Sequence, residues 1–559
     1  MKKLFVLLLV SFSLTQCIAV KSETTTTLPV KNTVTANFDQ PNPKLIVGIV
    51  VDQMRYDYLM KFYGKYGDGG FKRLINDGYN LKNVHFNYIP TYTAVGHASI
   101  YTGTTPAYHG IISNDWYDKF AKKSIYCVDD NNYKTVGAPS GGNKSPYRML
   151  TTTITDQLKL AQNMSGKTIG IAIKDRSAIL PAGHTANAAY WFEGGDEGKF
   201  ISSTFYLNKL PDWVNEFNSS GKANAYLNGT WNTYYDISTY TETLPDNNDY
   251  EGLFKGKSTP TFPYNLAELR KTNSNFNLLK LIPAGNSITT DFAKAAIIGE
   301  NLGKSDVIDF LAVSYSSTDY IGHQFGTNAK ELEDTYIRLD KELESLLIFL
   351  DSEVGKNNYT LFLTADHAAV EVPAYLNSIK IPGGYFNPEE FREFVNGITS
   401  RYFNSKELIE NISNYQIFLN KEKITALNLN IQEVSQVIAD EIINFENVYK
   451  SVTAHTLQTT SFNSGILQTL QNGYNQKFSG DVLFTLNPST ITYSKTGSTH
   501  GSGFSYDTHV PLLFYGNGIK KGKSDSPYLI IDIAPTLASF LKITEPNGNT
   551  GNPIIEVLK

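Results

Sequence analysis

The chain alternates short, unbroken apolar runs with longer stretches whose apolar residues recur at helical spacing. Leu45-Ile46-Val47-Gly48-Ile49-Val50-Val51 reads as a strand buried on both faces of a parallel sheet. Thr168 to Ile173, Asp309 to Tyr315, Tyr359 to Leu363 and Val510 to Tyr515 have the same character. Between them, Tyr56 to Asn76 and Thr335 to Leu350 predict helices; the second aligns Tyr336, Leu339, Leu343, Leu346 and Leu347 on one face. Ile530 to Leu541 predicts a closing helix. This alternation predicts an α/β fold, a central mostly parallel sheet sandwiched by helices.

Two stretches break the pattern. Residues 186–285 are rich in Tyr, Trp, Asn and Gly without a sustained period, and 387–450 look helical and amphipathic, for example over Ile431 to Ile443. They predict large insertions near 186–285 and 374–490 within a single domain spanning 44–559. The amphipathic stripes are read as core packing rather than a partner groove, and neither an internal repeat nor a linker between separate halves is evident.

The N-terminus has its own pattern. Met1-Lys2-Lys3 is positive and Leu4 to Leu14 is apolar but too short to span a bilayer, which predicts a signal peptide over 1–19 and a periplasmic or secreted protein. Gln16 fits a lipoprotein box poorly, so cleavage near Ala19 is preferred to lipid anchoring at Cys17. Residues 20–43, with Thr24 to Thr27 in a row, predict a flexible tether. Cys127 is the only other cysteine, which leaves no intramolecular disulfide in the mature chain. No other stretch predicts a transmembrane helix.

Composition narrows the partners. With 41% hydrophobic residues, 35 Tyr and 31 Phe in 559 residues, the chain is globular. A formal charge of −5 gives no bulk attraction to nucleic acid or anionic membrane, so no nucleic-acid partner is expected and any anionic substrate must be drawn by a local site.

Such a site is suggested by where acids and histidines fall. Asp52 ends the first apolar run, and ligands gather beyond the carboxyl ends of strands in α/β sheets. Thr93, after the turn-prone Ile89-Pro90-Thr91, is placed near a helix N-terminus, where free N–H groups favour an anion. Asp319 and His323 share a face if helical, Asp366-His367 follow another strand, and His500 sits in the glycine-flanked loop Gly497 to Gly503. Zinc takes such ligands, and a catalytic zinc keeps one position open. Singly, Asp52 could cap a helix, His323 could be a core histidine, His500 a loop residue, and Lys174 and Arg176 a surface pair. Together, in one chain and in this order, they are harder to set aside.

On these residues the chain resembles the alkaline phosphatase superfamily, and within it the phosphate-irrepressible monomeric zinc alkaline phosphatases. The resemblance runs from about Lys44 to the end and is most specific at Val51 to Arg55, Thr91 to His97, Gly110 to Trp116, Lys174 to Gly183, Ser317 to His323 and Ala365 to His367. It implies two zinc ions, one held by Asp319, His323 and His500, the other by Asp52, Asp366, His367 and the Thr93 oxygen. It also implies Thr93 as nucleophile through a phosphothreonine, and Asn114, Lys174 and Arg176 as the clamp on the non-bridging oxygens of small-molecule phosphate monoesters. A monomer and a role in phosphate scavenging fit the same resemblance. Ala368 departs from the common Asp-His-Gly but removes no ligand, and His97 and His109 are assigned to neither metal.

The nearest rival is a nucleotide pyrophosphatase or phosphodiesterase of the same superfamily. Two cations at Lys174 and Arg176 favour the doubly charged monoester. A sulfatase would need its nucleophile in a Cys-x-Pro-x-Arg type context, which Cys127-Val128-Asp129-Asp130 does not supply. A cofactor-independent phosphoglycerate mutase would be cytosolic with a serine nucleophile. A catalytically inactive exported binding protein predicts damaged ligands, and all six are present.

Overall fold

The computed structural model describes residues 43–559; the expected signal peptide, Cys17 and all but the last residue of the expected tether lie outside them. Among the described residues, ten strands form one mixed sheet. In chain order they are β1 (Leu45–Val51), β2 (Tyr79–His85), β3 (Thr135–Val136), β4 (Thr168–Ala172), β5 (Ala188–Glu193), β6 (Lys199–Ser203), β7 (Asp309–Tyr315), β8 (Tyr359–Thr364), β9 (His509–Gly516) and β10 (Gly522–Leu529). Their spatial order is β10-β2-β9-β8-β1-β7-β4-β5-β6-β3.

The centre is parallel. β1 pairs in parallel with β7 and β8, β7 with β4, and β4 with β5. Every side chain of β1, β4, β7 and β8 is buried, which is why these strands read as continuous apolar runs. The antiparallel pairings, β8 with β9, β9 with β2, β5 with β6 and β6 with β3, lie to either side. At one edge, β10 carries Lys523, Asp525 and Pro527 on a largely exposed strand, a composition that discourages further strand pairing.

Helices close over the sheet in two groups. Thr93–Thr102 (α1) packs against Asp175–Ala182 (α2) and Ile533–Leu541, while Lys330–Leu350 packs against Ala284–Gly299 and Ser317–Phe325. We call Ser317–Phe325 α3 and Lys330–Leu350 α4.

Three local readings differ from the structure. The helix expected over Tyr56 to Asn76 breaks into Tyr58–Lys61 and Phe71–Asp77. Gly67, Gly69 and Gly70 interrupt it, and Asp340 of α4 accepts the Gly67 and Phe71 amides, both at 2.8 Å. Within 186–285, β5 and β6 belong to the central sheet rather than to an insertion outside it. Small residues at Ala188 and Ala189 and three successive aromatics hid that strand from a β-branched criterion. Residues 387–450 contain helices Pro388–Phe403, Lys421–Ala426 and Ile431–Ile442, but also strands Ile409–Ser413, Gln416–Leu419 and Val448–Thr453. With Val482–Leu486 these make a separate four-stranded antiparallel sheet over its own core of Phe391, Val395, Ile417, Ile438 and Phe484.

Because β1, β7 and β8 are adjacent and parallel, their carboxyl ends open on one edge. Asp52 follows β1, Ser316 leads from β7 into α3, and Ala365-Asp366-His367 follow β8.

Candidate metal centre

At that edge two groups of potential ligands form: Asp52, Asp366 and His367, and Asp319, His323 and His500, each group with its ligand atoms within 4.8 Å of one another. The histidines share one orientation. His323 Nδ1 faces the Ser498 carbonyl at 2.7 Å, His500 Nδ1 the Thr91 carbonyl at 2.7 Å, and His367 Nδ1 the Ala368 carbonyl at 3.0 Å. A carbonyl fixes the proton on Nδ1 and leaves the Nε2 lone pair for a cation. The three Nε2 atoms point inward: His323 Nε2 lies 3.2 Å and His500 Nε2 3.6 Å from Asp319 Oδ1, and His367 Nε2 lies 3.4 Å from Asp52 Oδ1.

Thr93 is the first residue of α1 and is buried. Gly96, one turn on, lets that helix lie against β8's extension; a Cβ there would meet the Asp366 carbonyl oxygen at 2.1 Å. Asn114 Oδ1 accepts from the Ala94 amide at 2.9 Å, which sets this side chain beside the start of α1. Lys174, at the end of β4, and Arg176, in the first turn of α2, both reach Thr93 Oγ1, at 3.3 and 3.5 Å. All ten residues singled out in the sequence therefore lie around one edge of the sheet. His97 packs among them, with Nδ1 on the Thr93 carbonyl at 2.8 Å and Nε2 at Ser314 Oγ at 3.0 Å. His109 lies apart, between Ser99 Oγ and the Ile111 amide.

Several supporting residues were missed. The Gln53 amide nitrogen donates to Asp319 Oδ1 at 2.7 Å while its backbone N–H donates to Asp366 Oδ1 at 3.1 Å, so one residue ties the two groups together. It does so with φ of +64°, a left-handed conformation that a glutamine adopts rarely and that no sequence pattern announces. Thr318 Oγ1 donates to the Asp52 carbonyl at 2.5 Å. The Tyr126 hydroxyl donates to Asp175 and accepts from Arg176 at 3.0 Å, holding the guanidinium toward Thr93. The loop carrying His500 depends on glycine: Gly501 has φ +128°, and a Cβ would meet the Tyr92 ring at 2.5 Å. Asp507 Oδ2 accepts the Gly501 and Ser502 amides, at 3.1 and 2.8 Å, and pins that loop.

The electrostatics are unbalanced. Lys174 Nζ lies 2.7 Å from Asp52 Oδ2 and 2.5 Å from Asp319 Oδ2, one ammonium among three buried carboxylates. Burial tends to lower the Lys174 pKa, but Asp319 and Asp52 outweigh it and hold the ammonium charged. Burial, then the neighbouring Asp366 charge, raises Asp52 well above the ordinary carboxyl range, and burial above all takes Asp366 up to about 7. Burial and then His323 push His500 down to about 3, so it is neutral and able to coordinate.

Metal ions fit this site by its own chemistry. Asp52 Oδ1, Asp366 Oδ2 and His367 Nε2 are buried and have no hydrogen-bond partner among the described residues; Asp52 Oδ2 has the Lys174 ion pair alone. Buried polar atoms are seldom left this way. Inward lone pairs, fixed tautomers and surplus negative charge are all satisfied by divalent cations.

Known proteins place this geometry in context. A profile of the type I phosphodiesterase / nucleotide pyrophosphatase family matches residues 46–509. Alkaline phosphatase PafA of Elizabethkingia meningoseptica is 44% identical over 522 residues, 93% of this chain and 95% of that protein. A Myroides odoratus protein named a calcium-transporting ATPase is 46% identical over 92% of this chain and 95% of its own length. Alkaline phosphatase PhoV of Synechococcus elongatus is 45% identical over 92% and 93%. The crystal structure of wild-type PafA superposes with a TM-score of 0.89, covering 93% of this chain and 99% of that one. A second PafA structure carries substitutions at a threonine, an asparagine, a lysine and an arginine, the last two separated by one residue.

Proposed function

The chain belongs to the type I phosphodiesterase / nucleotide pyrophosphatase family, and from that premise we propose that it is an alkaline phosphatase hydrolysing phosphate monoesters at two zinc ions through a phosphothreonine on Thr93. The observation that carries this reading is the convergence of Lys174 Nζ and Arg176 Nη2 on Thr93 Oγ1, at 3.3 and 3.5 Å. A monoester presents three non-bridging oxygens and nearly two negative charges, whereas a diester presents one charge and needs room for a second organic group. The four residues altered in the PafA variant have the types and order of Thr93, Asn114, Lys174 and Arg176, which supports assigning the reacting group to them.

Asp319, His323 and His500 would hold one zinc, and Asp52, Asp366 and His367 with the Thr93 oxygen would hold the other. When bound, the ions act as Lewis acids that lower the pKa of a coordinated hydroxyl and offset charge on a leaving oxygen. Thr93 Oγ1 attacks phosphorus in line, opposite the leaving group, and the resulting phosphothreonine is hydrolysed in a second displacement. Arg176 meets the non-transferring oxygens with a planar fork and Lys174 with a point charge, while Asn114 stands at the start of α1 to donate a third contact. Gln53 keeps Asp319 and Asp366 aimed at their respective ions, and Tyr126 and Asp175 keep Arg176 extended.

The name of the Myroides relative is compatible with this chemistry, because the terminal phosphoryl group of ATP also presents three non-bridging oxygens. Among the described residues no helix is long and apolar enough to cross a membrane. The pattern over Met1 to Leu14 supports export to the periplasm or beyond, and with it scavenging of phosphate from external esters by a monomeric enzyme.

The test is kcat/KM for an aryl phosphate monoester and its matching diester, with zinc and after chelation. A zinc-dependent preference for the monoester by orders of magnitude is expected. A preference for the diester would transfer the protein to the phosphodiesterase reading, and zinc content near zero after zinc-supplemented refolding would return it to the inactive binding protein.

A further inference from the structure

We infer that the leaving group of the substrate docks in a cleft beside His323, and that the leucine and tyrosine side chains in its lining select esters of aromatic alcohols. The inference rests on the phosphomonoesterase reading above. In-line transfer puts the attacking and leaving oxygens on opposite sides of phosphorus. With Thr93 beside Asp52, Asp366 and His367, the leaving oxygen faces Asp319, His323 and His500, and its organic group must continue past one of these three. Asp319 and His500 retain 3% and 5% of their side-chain exposure and block the way, whereas His323 retains 25%.

A cleft of about 420 Å³ opens on His323, within the range of small-molecule pockets. Its apolar lining comes from three parts of the chain: Leu253 and Leu281 from the 186–285 stretch, Tyr320 from α3, and Tyr493 from the segment leading to His500; Gln324, Ser494 and Thr496 add polar edges. Leu253 is 48% exposed and Tyr493 41%, and such large apolar groups carry meaning when they cluster at one opening. Tyr493 stacks on the His323 ring with centroids 5.7 Å apart and planes at 28°, so the cleft already has one flat wall. Tyr320 joins it to the phosphoryl site, because Lys174 Nζ lies 5.0 Å from the centre of its ring. A flat, rigid leaving group slides between Tyr493 and the leucines with little loss of rotational freedom. A methyl ester offers these side chains far less apolar area than a phenyl ester.

The experiment compares phenyl phosphate with methyl phosphate as substrates of the zinc-loaded enzyme, and phenylphosphonate with methylphosphonate as ligands by calorimetry. In Tyr493→Ala and, separately, Leu253→Ala, the phenyl-to-methyl ratio of kcat/KM is expected to fall about tenfold, the scale of a lost aromatic contact. Tyr493→Phe restores it. Tighter binding of phenylphosphonate by the unaltered enzyme, lost in Tyr493→Ala, supports the cleft. Equal binding of the two phosphonates, or a ratio of kcat/KM that neither variant moves, overturns it. The phosphonate contrast stands apart from turnover: an enzyme that hydrolyses neither ester refutes the phosphatase reading, while the binding difference still decides whether the cleft holds an aryl group.

Discussion

The two ligand groups are chemically alike and built differently. Asp52, Asp366 and His367 are wholly buried and come from the ends of two adjacent parallel strands, so the centre of the sheet sets their separation. Asp319, His323 and His500 come from a helix and a late loop, and that loop is held by glycines, by Asp507 and by two carbonyl contacts to imidazoles. The first group is a product of the main core. The second depends on connections between elements, which open more readily than a packed sheet. The difference teaches that the two candidate ligand groups differ in rigidity, the one beside Thr93 being set by the sheet and the other by a helix and a loop.

The comparison is broken most severely by removing what the buried group acts on. Thr93→Ala should lower kcat/KM for an aryl monoester by ~10⁴-fold or more while leaving zinc content near that of the unaltered protein, measured by steady-state kinetics and elemental analysis. Arg176→Ala should cost ~10²-fold or more on the monoester and less on the diester, because the guanidinium meets a charge the diester lacks. Gln53→Ala removes the side-chain donor to Asp319 while keeping the backbone donor to Asp366, and should weaken zinc binding by about 10-fold or more, with the ion at the Asp319, His323 and His500 group leaving first during stepwise chelation. Simultaneous loss of both ions would show that the groups behave as one.

A smaller effect concerns a buried carboxyl pair, Glu251 in the 186–285 stretch and Glu331 on α4. Burial, with Glu331 next, raises the Glu251 pKa, and burial raises that of Glu331, whose Oε1 accepts from the Tyr264 hydroxyl at 2.5 Å. Above the ordinary value of 4.5, the folded chain keeps protons that the unfolded chain has released, so stability falls as pH rises through the window up to the raised native values. Glu331→Gln should therefore raise Tm by about 2–4 °C at pH 9 and by less at pH 5, read by calorimetry.

The same division governs what could be read from the chain. Strands buried on both faces betray themselves, so β1, β7 and β8 and the acids at their ends were legible, and the spacing of Asp319 and His323 placed both on one helical turn. β2, with Asn80, Lys82 and Asn83, and the exposed β10 lack that signature because solvent or an edge takes one face. The small sheet over Phe391 and Phe484 is masked in the sequence because its strands are short and interleaved with helices. Gln53 was out of reach for another reason: its role comes from a backbone twist, and sequence patterns record side chains.

The position of β2 sets a timetable. That strand is made early, yet its neighbours on both sides, β9 and β10, come from residues 509–529. Until residues 509–529 have been made, Tyr79 to His85 has no native partner on either flank, and the β2–β10 edge cannot form. His500 arrives in the same late interval. A chain that stops before residue 500 therefore lacks His500 together with both sheet neighbours of β2, so one candidate ligand group and one edge of the sheet are lost in the same cut.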